Sequence, residues 1–367
     1  MTTQRPYRIL FCGGGSAGHV VPVLAVATAL REELQKRHES AEFLFIGRRK
    51  SSEEALIRRA NIPYTIISAG KLRRYVDFQN LVDPFRVVAG FFQAMWIIGT
   101  FHPDVIFAKG GYVSVPVLAA AFLFRIPVVA HETDSILGFS NRLATKLARV
   151  ICTGYPIECY QGIRTRGQLV YTGNPVREEF FTVDKQISNK PPYTLLVTGG
   201  SQGARAINRA MQDLIDHMPK GLAIIHVTGE NHYAEYAKYA STHYHPLAFT
   251  NYMVDLVKQA DLVVSRSGGS VFELAASARP SILIPLSTSA NRHQESNAAY
   301  FKNHHAAFVI EEVDLTPEHL AETVKNLLDD AAKRTSLSRE IHRLSVPNAA
   351  RNVAKEVLTL ADQSRGK

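Results

Sequence analysis

Short runs rich in β-branched and aromatic residues alternate with helix-patterned stretches along almost the whole chain. In the first half the strand-like runs are YRILFC, AEFLFIG, YTIIS, DVIFAKG, IPVVAHE and RVICTG, and in the second half they are TLLVTGG, AIIHVTG, DLVVSRSG and SILIPL. Segments between them, such as SEEALIRRA and SQGARAINRAMQDLI, have the pattern of amphipathic helices. Strands that alternate with helices are typical of parallel sheets. The pattern therefore predicts an α/β protein.

The two halves of the chain repeat one plan. In each, an apolar strand leads into a glycine-rich turn that opens a helix: GGGSAG at residues 13–18 and GGSQGA at residues 199–204. A chain of 367 residues is also longer than one hydrophobic core normally supports. We therefore expect two domains, residues 1–175 and 176–346, with a cleft between them and a boundary at GNPVR. The last helix, within residues 347–367, is expected to pack back on the first domain.

Composition narrows the class of protein. Hydrophobic residues make up 46% of the chain and charged residues 20%, which excludes a disordered or fibrous protein. The three cysteines, Cys12, Cys152 and Cys159, form no CxxC pair and no even disulfide set, so a reduced, cytosolic protein is expected. The first residues lack the pattern of a secretory signal, and export is therefore not expected.

The excess of positive over negative charge lies entirely in the first half of the chain. Residues 1–175 contain 21 Lys and Arg against 12 Asp and Glu, whereas residues 176–367 contain 21 of each sign. A basic domain indicates an anionic partner, either nucleic acid or an acidic membrane surface, unless the charge serves only solubility. The sequence has no nucleic-acid-binding signature and no alternation of aromatic with basic residues. A membrane surface is therefore favoured, and no nucleic-acid partner is expected.

An apolar segment supports the membrane interpretation. Seventeen residues without a charge lie between Arg86 and Asp104, preceded by KLRRY at residues 71–75. A membrane-spanning helix needs about 20 predominantly apolar residues, and Gln93 and Pro103 shorten this stretch. We predict an amphipathic helix that is partly core and partly surface. The candidate membrane contacts are Arg73, Arg74, Phe85, Arg86, Phe91, Phe92 and Trp96.

The glycine turns are candidate anion sites. A strand that leads into a glycine turn and a helix directs backbone N–H groups and the positive helix end to one point, which suits phosphate or diphosphate. A third such turn is SRSGGSVFEL at residues 265–274, with Glu273 one turn into the helix. None of the turns matches the GxGxxG dinucleotide pattern or the GxxxxGK[ST] pattern. Two simpler alternatives stay open: the turns are only tight connections, and Glu273 complements the helix dipole rather than binding ribose hydroxyls.

Several polar residues follow strands, where ligands of open α/β sheets bind. His19 ends the first glycine turn, and Pro22 is expected to open the helix after it. The His19 imidazole could take a proton from an attacking hydroxyl or could only cap the loop. His131 and Glu132 end the strand IPVVAHE, and Asp134 follows them. No HxxxH, CxxC or DxD pattern accompanies these residues, so the sequence predicts no metal site.

Seven motifs in order make the sequence specific. The segments GGGSAGHVVPVLAVATAL, KGGYVSVPVLAAA, HETDSILGFSNRLA, TGNPVR, TGGSQGARAIN, SRSGGSVFELA and NRHQESNAAYF resemble the MurG family over nearly the whole chain. That family consists of GT-B glycosyltransferases that move N-acetylglucosamine (GlcNAc) from UDP-GlcNAc to the muramyl sugar of lipid I, which makes lipid II for peptidoglycan. The resemblance implies two Rossmann-like domains with parallel sheets facing a cleft. It also implies a lipid acceptor on the N-terminal domain and the nucleotide sugar mainly on the C-terminal domain.

The resemblance assigns roles residue by residue. His19 is implied as the catalytic residue, and Glu273 as the residue that binds the ribose hydroxyls. Asp134 stands where the family often has asparagine, Ala17 replaces a usual glycine, and the loop at residues 266–273 is one residue shorter. The implied UDP-GlcNAc contacts are Ser16, Ala17, Gly18, Asp134, Arg177, Ser201, Gln202, Met253, Gly268, Gly269, Ser270, Val271, Phe272, Glu273, His293, Gln294 and Asn297, and the implied acceptor contacts include Tyr112, His131 and Glu132.

The reaction implied by the resemblance is a single inverting displacement. The C4 hydroxyl of the acceptor attacks the anomeric carbon of GlcNAc as UDP leaves, with helix N-termini rather than a metal stabilising the diphosphate and no cofactor. His19 is the general base or a positioning residue. The resemblance also implies peripheral attachment to the cytoplasmic face of the cell membrane and association with other peptidoglycan-synthesis proteins. The alternatives are another GT-B lipid glycosyltransferase, such as one that acts on diacylglycerol, and a non-catalytic UDP-sugar-binding protein that recruits partners to the membrane.

Overall fold

The computed structural model describes residues 5–14, 17–49, 52–70, 79–184, 186–200 and 203–366. The chain forms two compact units. The first unit consists of Met1–Val176 together with Asn348–Lys367, and the second unit consists of Arg177–Pro347. The chain therefore passes between the units twice.

The first unit is built on a parallel sheet of seven strands among the described residues, in the order β3-β2-β1-β4-β5-β6-β7. Helices cover both faces of this sheet, as expected when parallel strands are joined by helical crossovers. The strands are β1 Tyr7–Cys12, β2 Ala41–Gly47, β3 Tyr64–Ile66, β4 Val105–Ala108, β5 Val128–Glu132, β6 Val150–Thr153 and β7 Gln168–Tyr171. The helices are α1 Ala17–Lys36, α2 Ser52–Arg59, α3 Gln79–Phe101, α4 Ser114–Leu123, α5 Phe139–Leu147 and, from the end of the chain, α14 Ala349–Ser364.

The central strand β1 alternates its side chains between two hydrophobic cores. Ile9 and Phe11 enter a core that contains residues of α1 and α14, whereas Leu10 and Cys12 enter a core that contains residues of α3 and α4. Each of these four side chains is fully buried. The helix α14 therefore completes one of the two cores of the first unit.

The second unit has a parallel sheet of six strands in its described part, in the order β10-β9-β8-β11-β12-β13. Its strands are β8 Tyr193–Thr198, β9 Leu222–Val227, β10 Tyr244–Leu247, β11 Leu262–Ser265, β12 Ser281–Leu283 and β13 Phe308–Val309. Its helices are α6 Arg205–Ala210, α7 Gln212–Asp216, α8 Tyr233–Ala237, α9 Met253–Gln259, α10 Val271–Ala276, α11 His293–Asn303, α12 Pro317–Asp329 and α13 Ala331–Arg343.

Two buried arginines hold the segment that enters the second unit. Arg334 donates to the carbonyl oxygens of Leu327 and Leu328 near the end of α12 and, over 2.8 Å, to that of Ser188. Arg279 reaches the carbonyl oxygen of Gln186 over 3.0 Å. The bonds to Leu327 and Leu328 satisfy buried carbonyl groups near the end of a helix, and those to Gln186 and Ser188 tie the entering segment to the body of the second unit.

Two local predictions are wrong. The helix α1 begins at Ala17, so Pro22 lies inside it instead of opening it. A proline so near the start removes only one intrahelical hydrogen bond, which a long packed helix tolerates. The single helix predicted after the second glycine turn is two short helices, α6 and α7, which meet at Met211.

Candidate active site

In the first unit, two glycine turns meet at the carboxyl edge of β1 and β4. A Cβ atom on Gly111 would lie 2.0 Å from the carbonyl oxygen of Gly14, so a side chain cannot be accommodated there. Gly14 and Gly111 also have positive φ angles of 146° and 78°. Glycine is therefore required for this close approach of the two turns.

Glu132 closes the loop that follows β5. Its Oε1 accepts from the backbone N–H of Asp134 at 3.0 Å, and its Oε2 accepts from the backbone N–H of Gly138 at 2.7 Å. Oε2 also accepts from Nδ2 of Asn141, at 3.0 Å. Burial and the nearby Asp134 carboxylate raise the pKa of Glu132. Glu132 therefore fixes the shape of residues 133–138, which we call the β5 loop.

His131 is buried beside a buried lysine. The ammonium of Lys109 donates to Nδ1 of His131 over 2.8 Å and to Oγ1 of Thr133. Nε2 of His131 lies 3.1 Å from the carbonyl oxygen of Gly173. Burial, and then the Lys109 charge, lower the pKa of His131 well below its usual value, and burial lowers that of Lys109 to about 8. His131 is therefore neutral in the folded protein near pH 7.

The predicted residues of the first unit divide into internal and accessible groups. The side chains of His131 and Glu132 are buried, and their polar atoms bond to protein groups. Tyr112 is half-buried against a hydrophobic core. Asp134 is half-buried, and its carbonyl oxygen accepts from Tyr160 Oη over 2.6 Å. The backbones of Ala17, Gly18 and His19 form the first turn of α1, whereas Ser16, Arg73 and Arg74 lie outside the described residues.

The helix α3 presents aromatic side chains to solvent along one side. Phe85, Phe92 and Trp96 are 75%, 62% and 72% exposed, whereas Phe91 packs against the core. Arg86 is paired with Asp83 at 3.0 Å. Among the described helices, only α3 is long and apolar enough to cross a membrane, over Val82–Phe101 with a mean hydropathy of 1.2.

In the second unit, Arg177 and Glu273 form an ion pair. Nη2 of Arg177 lies 3.5 Å from Oε1 of Glu273, and these side chains are 34% and 18% exposed. The guanidinium also lies 4.9 Å from the centre of the Phe180 ring, a cation–π contact that fixes its orientation. Burial raises the pKa of Glu273, and the Arg177 charge opposes this rise. A carboxylate in this position can accept hydrogen bonds from two neighbouring hydroxyl groups.

The glycine loop after β11 is held from α11. Oγ of Ser267 donates to the carbonyl oxygen of Gln294 at 2.7 Å, and Nδ2 of Asn297 donates to the carbonyl oxygen of Ser267 at 2.9 Å. Oε1 of Gln294 accepts from the backbone N–H of Leu286 at 3.0 Å. Nε2 of Gln294 has no hydrogen-bond partner in the described part of the chain and lies 3.9 Å from where a Cβ on Gly268 would be. This amide nitrogen is therefore a donor available to a ligand above the loop.

The other predicted residues of the second unit lie around the same loop or on neighbouring helices. Gly268, Gly269 and Ser270 are half-buried, whereas the side chains of Val271 and Phe272 are buried, so only their backbones can reach a ligand. Met253 and His293 are the first residues of α9 and α11. Ser201 and Gln202 lie outside the described residues.

Sequence reasoning missed the residues that support the site. Lys109 directly follows β4 and precedes GGY, a signal that was available. Arg266 donates to Glu312 over 2.6 Å and to the carbonyl oxygen of Ile284 over 3.1 Å, and Glu312 accepts from the backbone N–H of Ser287. Because Glu312 is 46 residues from Arg266, no sequence pattern pointed to this pair. The described residues contain no group of three or more His, Cys, Asp or Glu side chains that could hold a metal ion.

Two family models match the chain. The glycosyltransferase family 28 N-terminal domain matches residues 9–153, and the glycosyltransferase family 28 C-terminal domain matches residues 194–353. Together they cover parts of both units. The family 28 assignment agrees with the predicted class of enzyme.

Relatives of similar length carry one name. The UDP-N-acetylglucosamine–N-acetylmuramyl-(pentapeptide) pyrophosphoryl-undecaprenol N-acetylglucosamine transferase of Clostridium perfringens is 37% identical over 332 residues, 88% of this chain and 91% of that protein. The protein of the same name from Clostridium kluyveri is 37% identical over 342 residues, 90% of this chain and 94% of that protein.

Solved structures confirm the fold. The crystal structure of Acinetobacter baumannii MurG matches with a TM-score of 0.75 at 25% identity, over 96% of this chain and all of that chain. A kitacinnamycin glycosyltransferase matches with a TM-score of 0.72 at 15% identity, over 97% of this chain and all of that chain, which is a likeness of fold alone. The predicted architecture of two Rossmann-like domains with parallel sheets is thus confirmed. From this agreement of sequence, family models and fold, we conclude that the chain belongs to the MurG family of GT-B glycosyltransferases, within glycosyltransferase family 28.

Proposed function

We propose that this chain transfers GlcNAc from UDP-GlcNAc to the C4 hydroxyl of the N-acetylmuramyl sugar of lipid I, which produces lipid II. The observation that carries this proposal is the 37% identity, over about nine tenths of both chains, to transferases named for that reaction. Both relatives are named for transfer to an N-acetylmuramyl acceptor, which favours lipid I over diacylglycerol as the acceptor.

The second unit supplies the donor site. Glu273 accepts hydrogen bonds from the ribose hydroxyls, and Arg177 holds its carboxylate in place. The backbone N–H groups of Gly268, Gly269 and Ser270 face the diphosphate, whereas those of Val271 and Phe272 already donate to the carbonyl oxygens of Gly268 and Gly269. The resemblance assigns Ser201 and Gln202, which lie outside the described residues, to the same ligand. The start of α9, at Met253, contacts the uracil ring. The position of Glu273 beside the glycine loop supports these roles, because its carboxylate is paired with Arg177 through one oxygen and keeps the capacity to accept from further donors.

Recognition of GlcNAc depends on α11. Oε1 of Gln294 is already bonded to Leu286, so Nε2, which has no hydrogen-bond partner among the described residues, donates to a sugar hydroxyl. Asn297 acts indirectly, because its amide holds the Ser267 carbonyl, and His293 stands beside Gln294. Gln294 thus offers the sugar one donor, Nε2, on an amide whose oxygen is held by the backbone N–H of Leu286.

The first unit supplies the acceptor side and the membrane contact. His19, in the first turn of α1, takes the proton from the attacking hydroxyl or positions it. The helix α3 lies in the membrane interface rather than across it, because Ala94, Ile97 and Ile98 on one of its sides are buried in the protein core. Its exposed aromatic residues enter the headgroup region, and Arg86 with the basic segment at residues 71–75 contacts anionic lipid. The proposal includes attachment to the cytoplasmic face of the membrane, as the resemblance to the MurG family implies.

One experiment tests the proposal against its alternatives. The protein is incubated with radiolabelled UDP-GlcNAc and lipid I, diacylglycerol or no acceptor, and the lipid phase is analysed. Label in lipid II with lipid I alone is the expected result. Label in a glycolipid made from diacylglycerol would replace the proposal with the other lipid glycosyltransferase. Binding of UDP-GlcNAc without transfer to either lipid would indicate the non-catalytic recruiter.

A further inference from the structure

Lys109 lies between two parts of the first unit that the proposed function uses. Its backbone N–H donates to the carbonyl oxygen of Cys12 at 2.9 Å, directly before the first glycine turn. A Cβ atom on Gly13 would lie 3.2 Å from the Cβ of Lys109, so this turn rests on the lysine stem. The lysine is only 2% exposed. It therefore cannot contact a ligand directly without a rearrangement of the unit.

The hydrogen bonds of the Lys109 ammonium go to neutral groups. Its partners are Nδ1 of His131, at 2.8 Å, and Oγ1 of Thr133. The buried carboxylate of Glu132, next to His131 in the chain, is occupied by Asn141 and by two backbone N–H groups of the β5 loop. A buried cation without a bonded carboxylate costs stability, and an apolar side chain of similar volume often replaces a buried charge without loss. Stability alone therefore does not explain a lysine here.

Two contacts select the same tautomer of His131, that of the Lys109 ammonium with Nδ1 and that of the Gly173 carbonyl with Nε2. An ammonium can only donate, so Nδ1 must accept and Nε2 must carry the proton. That Nε2–H group points at the carbonyl oxygen of Gly173, 3.1 Å away. Gly173 lies three residues before Val176, the last residue of the first unit before the chain leaves it. The hydrogen bonds thus run from the glycine turn, through β5, to the exit segment at residues 173–176.

We propose that Lys109 is a positioning residue, which fixes His131 in its Nε2–H tautomer and, through His131 and Thr133, holds the β5 loop and the exit segment in register with the first glycine turn. It acts on the acceptor side of the enzyme without touching substrate. The kinetic part of this inference rests on the proposed transferase activity. The tautomer of His131 does not depend on that activity.

The test compares Lys109→Met, which removes the charge and the donors, with Lys109→Gln, which keeps a donor. Lys146→Met, an exposed lysine on α5 of the same unit, is the matched control. Long-range ¹H–¹⁵N spectra of the imidazole rings report the tautomer of His131, and loss of a signal in His131→Gln assigns it among the 14 histidines. We expect a single Nε2–H tautomer in the parent protein, Lys146→Met and Lys109→Gln, and loss of that fixed state in Lys109→Met.

The kinetic readout compares the effect of each substitution on kcat/KM for the acceptor, lipid I, with its effect on inhibition by free UDP, which reports the donor site. We expect Lys109→Met to lower kcat/KM for lipid I by about tenfold or more, because small misplacements of reacting groups have effects of that size. Inhibition by free UDP, which binds the second unit, should change less than about twofold. Lys109→Gln should recover most of the loss.

An unchanged His131 tautomer in Lys109→Met would overturn the proposal even if the protein had no transferase activity. A changed tautomer in Lys109→Met with normal kcat/KM for lipid I would overturn the positioning role alone. If Lys109→Met does not fold, Lys109→Gln provides the test: a mixed His131 tautomer combined with wild-type kinetics in that variant would overturn the positioning role.

Discussion

The Nη2 atom of Arg177 lies 3.5 Å from Oε1 of Glu273, although the two residues are 96 positions apart in the chain. Arg177 is the first residue of the second unit, and Glu273 lies in α10. The start of the second unit is therefore bonded to the proposed ribose site. This contact gives Arg177 a role through Glu273 that does not need direct contact with the nucleotide.

Glu273→Ala should weaken the binding of UDP and of UDP-GlcNAc to the same extent. Loss of a charged acceptor of hydrogen bonds costs about 1.5–3 kcal/mol, or roughly 10- to 100-fold in affinity. Isothermal titration calorimetry with free UDP measures this loss of affinity directly. Arg177→Met should show a smaller loss, because it only releases the Glu273 carboxylate and does not remove it. Unchanged UDP affinity in Glu273→Ala would remove this residue from the donor site.

Gln294→Ala should narrow the preference for UDP-GlcNAc over its C4 epimer UDP-GalNAc. A site that pairs a sugar hydroxyl with a buried polar group rejects an analogue that cannot make the same bond. Gln294→Glu is the matched variant, because it keeps an oxygen for the Leu286 N–H but loses the Nε2 donor. Both variants should lower the ratio of kcat/KM values by about 10-fold or more, the effect of a lost substrate hydrogen bond. A ratio equal to that of the parent protein in both would contradict the assignment.

His19→Ala should lower turnover with lipid I by about 10²- to 10⁴-fold, the range for a lost acid–base catalyst. Binding of UDP-GlcNAc should change little, since the proposed donor contacts are mainly in the second unit. Steady-state rates with saturating lipid I and direct binding of UDP-GlcNAc separate these effects. Turnover close to that of the parent protein would exclude any catalytic role for His19.

Removal of the exposed aromatics of α3 should release the protein from membranes. Phe92→Ser together with Trp96→Ser should lower partitioning into anionic liposomes by at least about tenfold, since each loses apolar area that the headgroup region would bury. Val313→Ser, an exposed apolar residue of the second unit, is the control and should have no effect. Changing Arg73, Arg74 and Arg86 to Glu should remove the salt-sensitive part of binding, about 1 kcal/mol per charge. Sedimentation unaltered by both sets of changes would place the membrane contact elsewhere.

The buried Lys109 predicts a specific dependence of stability on pH. Its pKa is about 8 in the folded protein and 10.5 in its ordinary environment, so between these values the unfolded chain binds a proton that the folded chain does not. Stability then rises with pH, by up to about 3 kcal/mol for this group relative to a chain without it. The difference in unfolding free energy between the parent protein and Lys109→Met, measured by urea at pH 7.5 and pH 10, should shift in favour of the parent at the higher pH. A difference that is the same at both pH values would show that Lys109 titrates normally.

The sequence predicted the strands that lie inside the sheets better than those at the edges. The inner strands, such as β4 and β11, are continuous apolar runs because helices cover both of their faces. The unpredicted strands β7, β10 and β13 are all edge strands, and β10 contains Pro246 while β13 has only two residues. Proline and short length are tolerated where only one neighbour must be paired. The sequence pattern therefore missed three of the four edge strands in the described part of the chain for a physical reason, and the fourth, β3, was predicted.

For the candidate site, the sequence predicted the positions of residues along the strands but not the partners of their side chains. His131 and Glu132 were predicted from their position at the end of β5, and both lie there. The direction of their side chains was not predictable, because it depends on Lys109 and Asn141 in other elements. The Arg177–Glu273 pair was likewise visible only as two separate residues. Sequence position locates a residue along a strand, but its partners come from the packing of distant segments.

The return of α14 to the first unit has a consequence for biosynthesis. Val353, Val357 and Leu358 belong to the same core as Phe11 of β1, yet about 340 residues separate them in order of translation. The second unit lies entirely between these segments, so it can complete its own core while the first sheet still lacks a covering helix. A chain that ends before Asn348 therefore leaves uncovered the part of the N-terminal core that α14 covers in the folded protein, so the first unit to begin synthesis is the last to be completed.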